Sequence, residues 1–152
     1  MISVKIFLLI ALLVTTFNFA LANSLKGVKE VGILIEDLND EARRCNITAS
    51  YLDTAIRVPL SNSSIKIISL EKTPSAAYIY VDVTVIDDKD FCIGSVITTF
   101  NKYVHSERDT GKFWTKTGLL SFRKNNFQKR LGDELEIHTK EFIGAWLKAN
   151  QN

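Results

Sequence analysis

Apolar and polar positions alternate with period two along residues 28–38, where Val31, Ile33 and Ile35 take one side and Gly32, Leu34 and Glu36 the other, which predicts a strand. The polar run 39–44 breaks it. From 48 to about 58 the spacing changes, and Tyr51, Leu52, Ala55 and Ile56 form the stripe of an amphipathic helix, capped by Asn46 or Thr48 and ended by Pro59. A turn at 61–64 leads to a short strand at 65–68, and 72–75 is a second turn. The clearest alternation is 77–86: Ala77, Ile79, Val81, Val83 and Val85 oppose Tyr78, Tyr80, Asp82 and Thr84. Asp87-Asp88-Lys89-Asp90 has hairpin-loop chemistry, and two β-rich runs follow at 91–104 and 112–122, separated by a polar loop at 106–111. Their buried face stays open, because Ile93, Ile97 and Tyr103 oppose Val96, Phe100 and Val104 and both sets are substantially apolar.

The last segment is helical. Phe127, Leu131, Leu135, His138, Phe142 and Trp146 recur at spacings of 4, 4, 3, 4 and 4, lining one face, and Asn125 with Gln128 resembles a capping box. The expected architecture is α+β: a mostly antiparallel sheet of about five strands in the order β-α-β-β-β-β-α, with two helices packed on one face.

Ahead of this domain, Lys5, the apolar run 6–14 and the small-residue end Ala20-Leu21-Ala22 have the order of a cleavable signal peptide. The expected organisation is therefore a signal peptide over 1–22 and a single domain over 23–152, exported to a periplasmic or extracellular space, with no membrane span after cleavage. Two cysteines, Cys45 and Cys92, reach that oxidising compartment, where an even count favours one disulfide over two free thiols. Against this, if the strands after the first helix run alternately back and forth, Cys45 and Cys92 fall at opposite ends of the sheet. The two cysteines and two histidines have no short ligand spacing, so no metal site is expected.

Cys45-Asn-Ile-Thr48 leading into a helix, the Val58-Pro59-Leu60 end, the Cys92 strand and the closing run from Phe142 through Trp146 to Asn150 resemble a family of small exported bacterial proteins of no assigned activity. That resemblance implies a bacterial exported setting and a pairing of Cys45 with Cys92. It carries no catalytic residue.

Chemistry is sparse. No nucleophile elbow, zinc-protease motif, phosphate loop or dinucleotide fingerprint occurs, so no catalytic residue and no cofactor are expected. His105 with Ser106 and Asp109 is the nearest thing to a hydrolase set, and His138 on the helix stripe reads as a packed core residue. The loop carboxylates, Glu36 to Glu41 and Asp87 to Asp90, read as solvated turns rather than calcium sites. Charge is uneven along the chain: residues 23–90 hold 8 basic and 11 acidic groups, and 91–152 hold 10 and 6. The basic groups of 102–130, among them Lys112, Lys116, Arg123 and Lys124, alternate with aromatics and form a candidate surface for a polyanion or an envelope polymer. The leading expectation is instead a non-enzymatic binding or protein-interaction domain that uses the uncovered sheet face, with Tyr78, Tyr80 and Trp114 as anchors. Its partner is an unknown protein or envelope polymer, nucleic acid is disfavoured, and the oligomeric state is open.

Overall fold

The computed structural model describes residues 25–73, 76–103 and 110–151; the segment 1–22, expected to be a signal peptide, lies outside them. The elements are β1 (Glu30–Ile35), α1 (Asp40–Arg44), α2 (Ala49–Ser61), β2 (Lys66–Ile67), β3 (Tyr78–Asp88), β4 (Phe91–Tyr103), β5 (Thr110–Arg123) and α3 (Lys124–Asn150). The strands form one open sheet in the order β2-β1-β3-β4-β5, antiparallel through its long strands β3, β4 and β5. The α+β class and the five strands are as expected.

Three local readings are corrected. The polar run 39–44 is not merely a loop: it contains α1, because the Asn39 side chain accepts the Ala42 N–H at 3.0 Å and Asp40 and Glu41 sit at the positive end of the turn, Arg43 and Arg44 at the negative one. Pro59 does not stop α2, which continues to Ser61, since a proline in the last turn forfeits only one backbone bond. The pair Asn125 and Gln128 forms no capping box. Strand β5 runs straight into α3 with Arg123 as the boundary residue, and Gln128 donates to the Asn46 carbonyl instead (2.8 Å).

The strand directions settle the cysteines. β1 runs parallel to both β2 and β3, so the chain leaving β1 emerges at the same end of the sheet as the β3–β4 hairpin. The Asn39 amide fastens α1 there by donating to the Val85 carbonyl (2.8 Å), and Cys45, the C-cap of α1, reaches Cys92 at the start of β4. Cys45 and Cys92 form a disulfide with Cα atoms 6.2 Å apart. The assumption of strictly alternating strand directions was the error.

Register assigns the faces. Ile79, Val81, Val83 and Val85 of β3 pair with Phe100, Thr98, Val96 and Gly94 of β4, and these with Trp114, Lys116, Gly118 and Leu120 of β5, so all of them lie on the side covered by α3. There Phe142 stacks on Phe100 at 5.2 Å and meets Trp114 edge-on at 5.7 Å between ring centres, while Phe127, Leu131 and Leu135 complete the core. Gly94 leaves room for this packing: a Cβ would lie 2.9 Å from the Phe127 ring and 3.0 Å from the Thr84 carbonyl. At the far end the chain closes on itself. The Trp146 indole donates to the Val28 carbonyl (2.7 Å), the Gly27 N–H to the Asn150 side-chain oxygen (2.8 Å), and the Asn150 amide to the Leu25 carbonyl (3.1 Å). Among the described residues no helix is long and apolar enough to cross a membrane.

Candidate functional site

The second face of the sheet carries the other phase of every strand. On β3, β4 and β5 it presents, row by row, Tyr80, Thr99 and Thr115, then Asp82, Ile97 and Thr117, then Thr84, Ser95 and Leu119, then Ile86, Ile93 and Ser121, then Asp88, Phe91 and Arg123. Among the described residues no helix lies over it, because α2 and α3 both pack against the opposite side. The consequence is a patch of exposed apolar side chains near the hairpin end. Leu119 is 84% exposed, Ile86 57% and Ile93 43%, with Phe91 also exposed beside them. A shallow depression of about 390 Å³ lies among Thr84, Ile86, Ile93, Ser95, Leu119 and Ser121. Its polar members are small hydroxyls without charge, so it can take apolar groups and hydrogen bonds but supplies no acid, base or nucleophile of perturbed reactivity.

The tyrosines stand at the other end of this face. Tyr78 and Tyr80 flank Thr99 and Asn101, which are buried and bonded to each other at 2.8 Å. The Tyr80 hydroxyl donates to the Glu36 carboxylate, and that bond to a negative group pushes its pKa up to about 12. Trp114 does not join them. It lies on the helix side, 7% exposed, because Phe100 opposite it in β4 faces α3 and register forces the tryptophan the same way. What the sequence reading missed is the apolar trio Ile86, Ile93 and Leu119; the signal was Ile86, out of phase with Val83 and Val85, together with Ile93 and Ile97.

The basic stretch is divided between surfaces. Lys116 points to the helix side and pairs with Glu141 (2.5 Å), Lys124 pairs with Asp87 (2.6 Å), and Lys129 with Asp133 (2.9 Å). Arg130 lies over the Phe122 ring at 5.5 Å. Arg123 stands on the open face next to Phe91, and Lys112 is in β5 opposite Asn101. Arg108, His105, Ser106 and Asp109 fall outside the described residues. Four of the basic groups are therefore spent on protein carboxylates or an aromatic ring, on faces that do not coincide.

Two clusters of chemically capable groups lie inside the fold. His138, 2% exposed, has its Nδ1 3.0 Å from the Thr98 hydroxyl and its Nε2 3.2 Å from the Glu134 carboxylate. This has the composition of a nucleophile, base and orienting acid, but Thr98 is buried under α3, and no substrate atom can approach its hydroxyl. Burial pushes the His138 pKa down, against the pull of the Glu134 and Glu141 carboxylates, while Lys116 adds to the depression. Gly118 makes room for Glu134, since a Cβ there would lie within 3 Å of its carboxylate arm. The second cluster is Cys45, Cys92 and Asp87, whose ligand atoms lie within 4.8 Å of one another. As a metal set it does not serve: the sulfurs are joined in a disulfide, and the Asp87 carboxylate is held by Lys124 and by Arg44 (3.1 Å). The Lys124 contact, then that of Arg44, holds the Asp87 pKa below the ordinary carboxylate value despite partial desolvation.

No family model matches the chain, and no curated protein does. Among solved structures it is similar to a minor lipoprotein from Acinetobacter baumannii, with 11% identity over 82% of this chain and 92% of that one and a TM-score of 0.41. It is also similar to PelC, a dodecamer from Paraburkholderia phytofirmans, with 12% identity over 83% and 89% and the same TM-score of 0.41. Both likenesses are remote.

Proposed function

We propose that the chain is an exported, non-enzymatic interaction domain that docks a partner on the open face of its sheet, with Ile86, Ile93 and Leu119 at the centre of the contact. The single observation that carries this reading is the exposure of those three side chains next to one another on a face that no helix of the described residues covers. Tyr78 and Tyr80 extend the same face as its aromatic, hydrogen-bonding end. The signal-like segment and the Cys45–Cys92 disulfide support an exported setting. A single domain over 23–152 fits the core, whose two chain ends are tied together.

The test is capture of partners from the protein's own extracellular or periplasmic extract at low and high salt, with the parent chain, Leu119→Asp, Ile93→Asp, and the Tyr78→Ala, Tyr80→Ala pair. A partner that survives high salt and is lost with Leu119→Asp supports the sheet-face module, because burying one leucine is worth roughly 1.5–3 kcal/mol and a carboxylate in its place adds a desolvation cost. A partner released by salt and indifferent to Leu119, Ile93 and the tyrosines sinks the reading and moves the site to Arg123 and its basic neighbours.

A further inference from the structure

Strand β2 pairs with β1 over Glu30 and Val31 only, and the last bond of that ladder runs from the Ile68 N–H to the Val31 carbonyl at 3.0 Å. Beyond it the chain turns across the sheet and sets Leu70 down on Gly32, so close that no Cβ fits. β1 continues to Ile35, and its inner edge stays paired: the Gly32 N–H donates to the Ala77 carbonyl and the Glu36 N–H to the Val81 carbonyl, each at 2.9 Å. Successive residues of a strand turn their backbone groups to alternate edges. The N–H and C=O of Ile33 and Ile35 therefore face the side that β2 has left, and among the described residues no backbone bond closes that edge. Beside it is a cavity of about 490 Å³ lined by Leu34, Ile67, Ile68 and Leu70, with Arg57 and Glu71 as its charged members. Asp53 holds Arg57 through two bonds of 2.8 Å, while Glu71 has no ion-pair partner among the described residues.

We infer that this notch is a strand-addition site, distinct from the Ile86, Ile93 and Leu119 patch, that takes an extended, β-branched peptide segment of a partner protein with a basic residue beside Glu71. The free backbone groups of Ile33 and Ile35 supply ladder bonds, and the alternation of a strand sends one apolar side chain toward Ile67 and the next toward Leu34 and Leu70. The unpaired carboxylate of Glu71 sets the sign of the flanking charge. An open edge of this kind is otherwise a liability, which a bound strand removes.

The experiment is residue-resolved amide exchange on the full-length protein with an acetylated, amidated Thr-Val-Thr-Val-Thr-Lys peptide, and with the same peptide N-methylated at alternate residues. In the free protein the Ile33 and Ile35 amides exchange fast while Gly32 and Glu36 are protected. The unmethylated peptide slows Ile33 and Ile35 at least tenfold, the methylated one does not, and Glu71→Gln weakens binding severalfold. Leu119→Asp leaves all of this unchanged, so failure here and failure of the open-face reading are told apart. Protection of Ile33 and Ile35 before any peptide is added overturns the inference, as does an exchange rate indifferent to peptide at millimolar concentration or equal protection by the methylated peptide.

Discussion

Replacing both Cys45 and Cys92 by alanine removes a cross-link between residues 47 apart in sequence, and closing a loop of that length takes roughly 4 kcal/mol of entropy out of the unfolded chain at 25 °C. Both residues are fully buried, so the alanines add a small packing loss of the same sign. For a domain whose total stability is of order 5–15 kcal/mol, that is a large part of the whole. The ion pairs of Asp87 with Arg44 and Lys124 tie the same two ends, but they are partly solvent-screened and do not restrict the unfolded chain. The assay is equilibrium urea unfolding followed by far-UV circular dichroism, comparing the parent chain, the parent with excess reductant and the double variant. With an m-value of about 2 kcal/mol/M the midpoint falls by about 2 M. Reductant alone acts slowly on the native protein because the sulfurs are inaccessible. A midpoint shift under about 0.5 M in the double variant would refute the reasoning, since it means that the unfolded chain gains no freedom when the link is cut.

The buried His138 has a depressed folded pKa, so the unfolded chain binds its proton first as pH falls: the associated stability is full above about 6.5 and declines from there toward the folded value. His138→Gln flattens that decline in a pH series of urea midpoints between 7 and 5, and an unchanged slope counts against the assignment. Tyr80 ionises near 12, and Glu36→Gln brings its titration, read by ultraviolet difference absorbance, back toward 10; the parent and variant titrating alike would show that the hydrogen bond is absent in solution. Gly94→Ala forces a methyl against the Phe127 ring and the Thr84 carbonyl and costs about 1–3 kcal/mol in the same unfolding assay, whereas Gly144→Ala, with open space around it, costs nothing or stabilises.

The period-two and helical patterns located β1, α2, β3 and α3 because each of those segments buries one face and leaves the other wet, which is what periodicity reports. β4 and β5 defeated that reading for a physical reason: their outward phase keeps Ile93, Ile97 and Leu119, and an apolar residue aimed at solvent has the same letter as one aimed at the core. The side Trp114 takes is not legible without a register, since only its pairing with Phe100, in phase with Lys116, Gly118 and Leu120, turns it toward α3. The charged residues of 102–130 looked like one surface along the chain. In space the twofold alternation and the start of α3 send Lys116, Arg123 and Lys129 in three directions. Helix α1 left little signal because five residues make less than two turns, too few for the period to repeat, and only its Asn39 cap and its charge order betray it.

The clasp between Leu25, Val28, Trp146 and Asn150 bears on the order of events during synthesis. A ribosome that has released residue 123 has delivered every strand of the sheet and none of α3, so Ile79, Val81, Val96, Phe100 and Leu120 have no Phe127, Leu131, Leu135 or Phe142 to cover them. At that moment α2 covers only the β1–β2 end of the sheet, and the bonds that fasten the first residues of the domain wait for the last turn of the last helix. Such a chain stays unlatched until translation is complete.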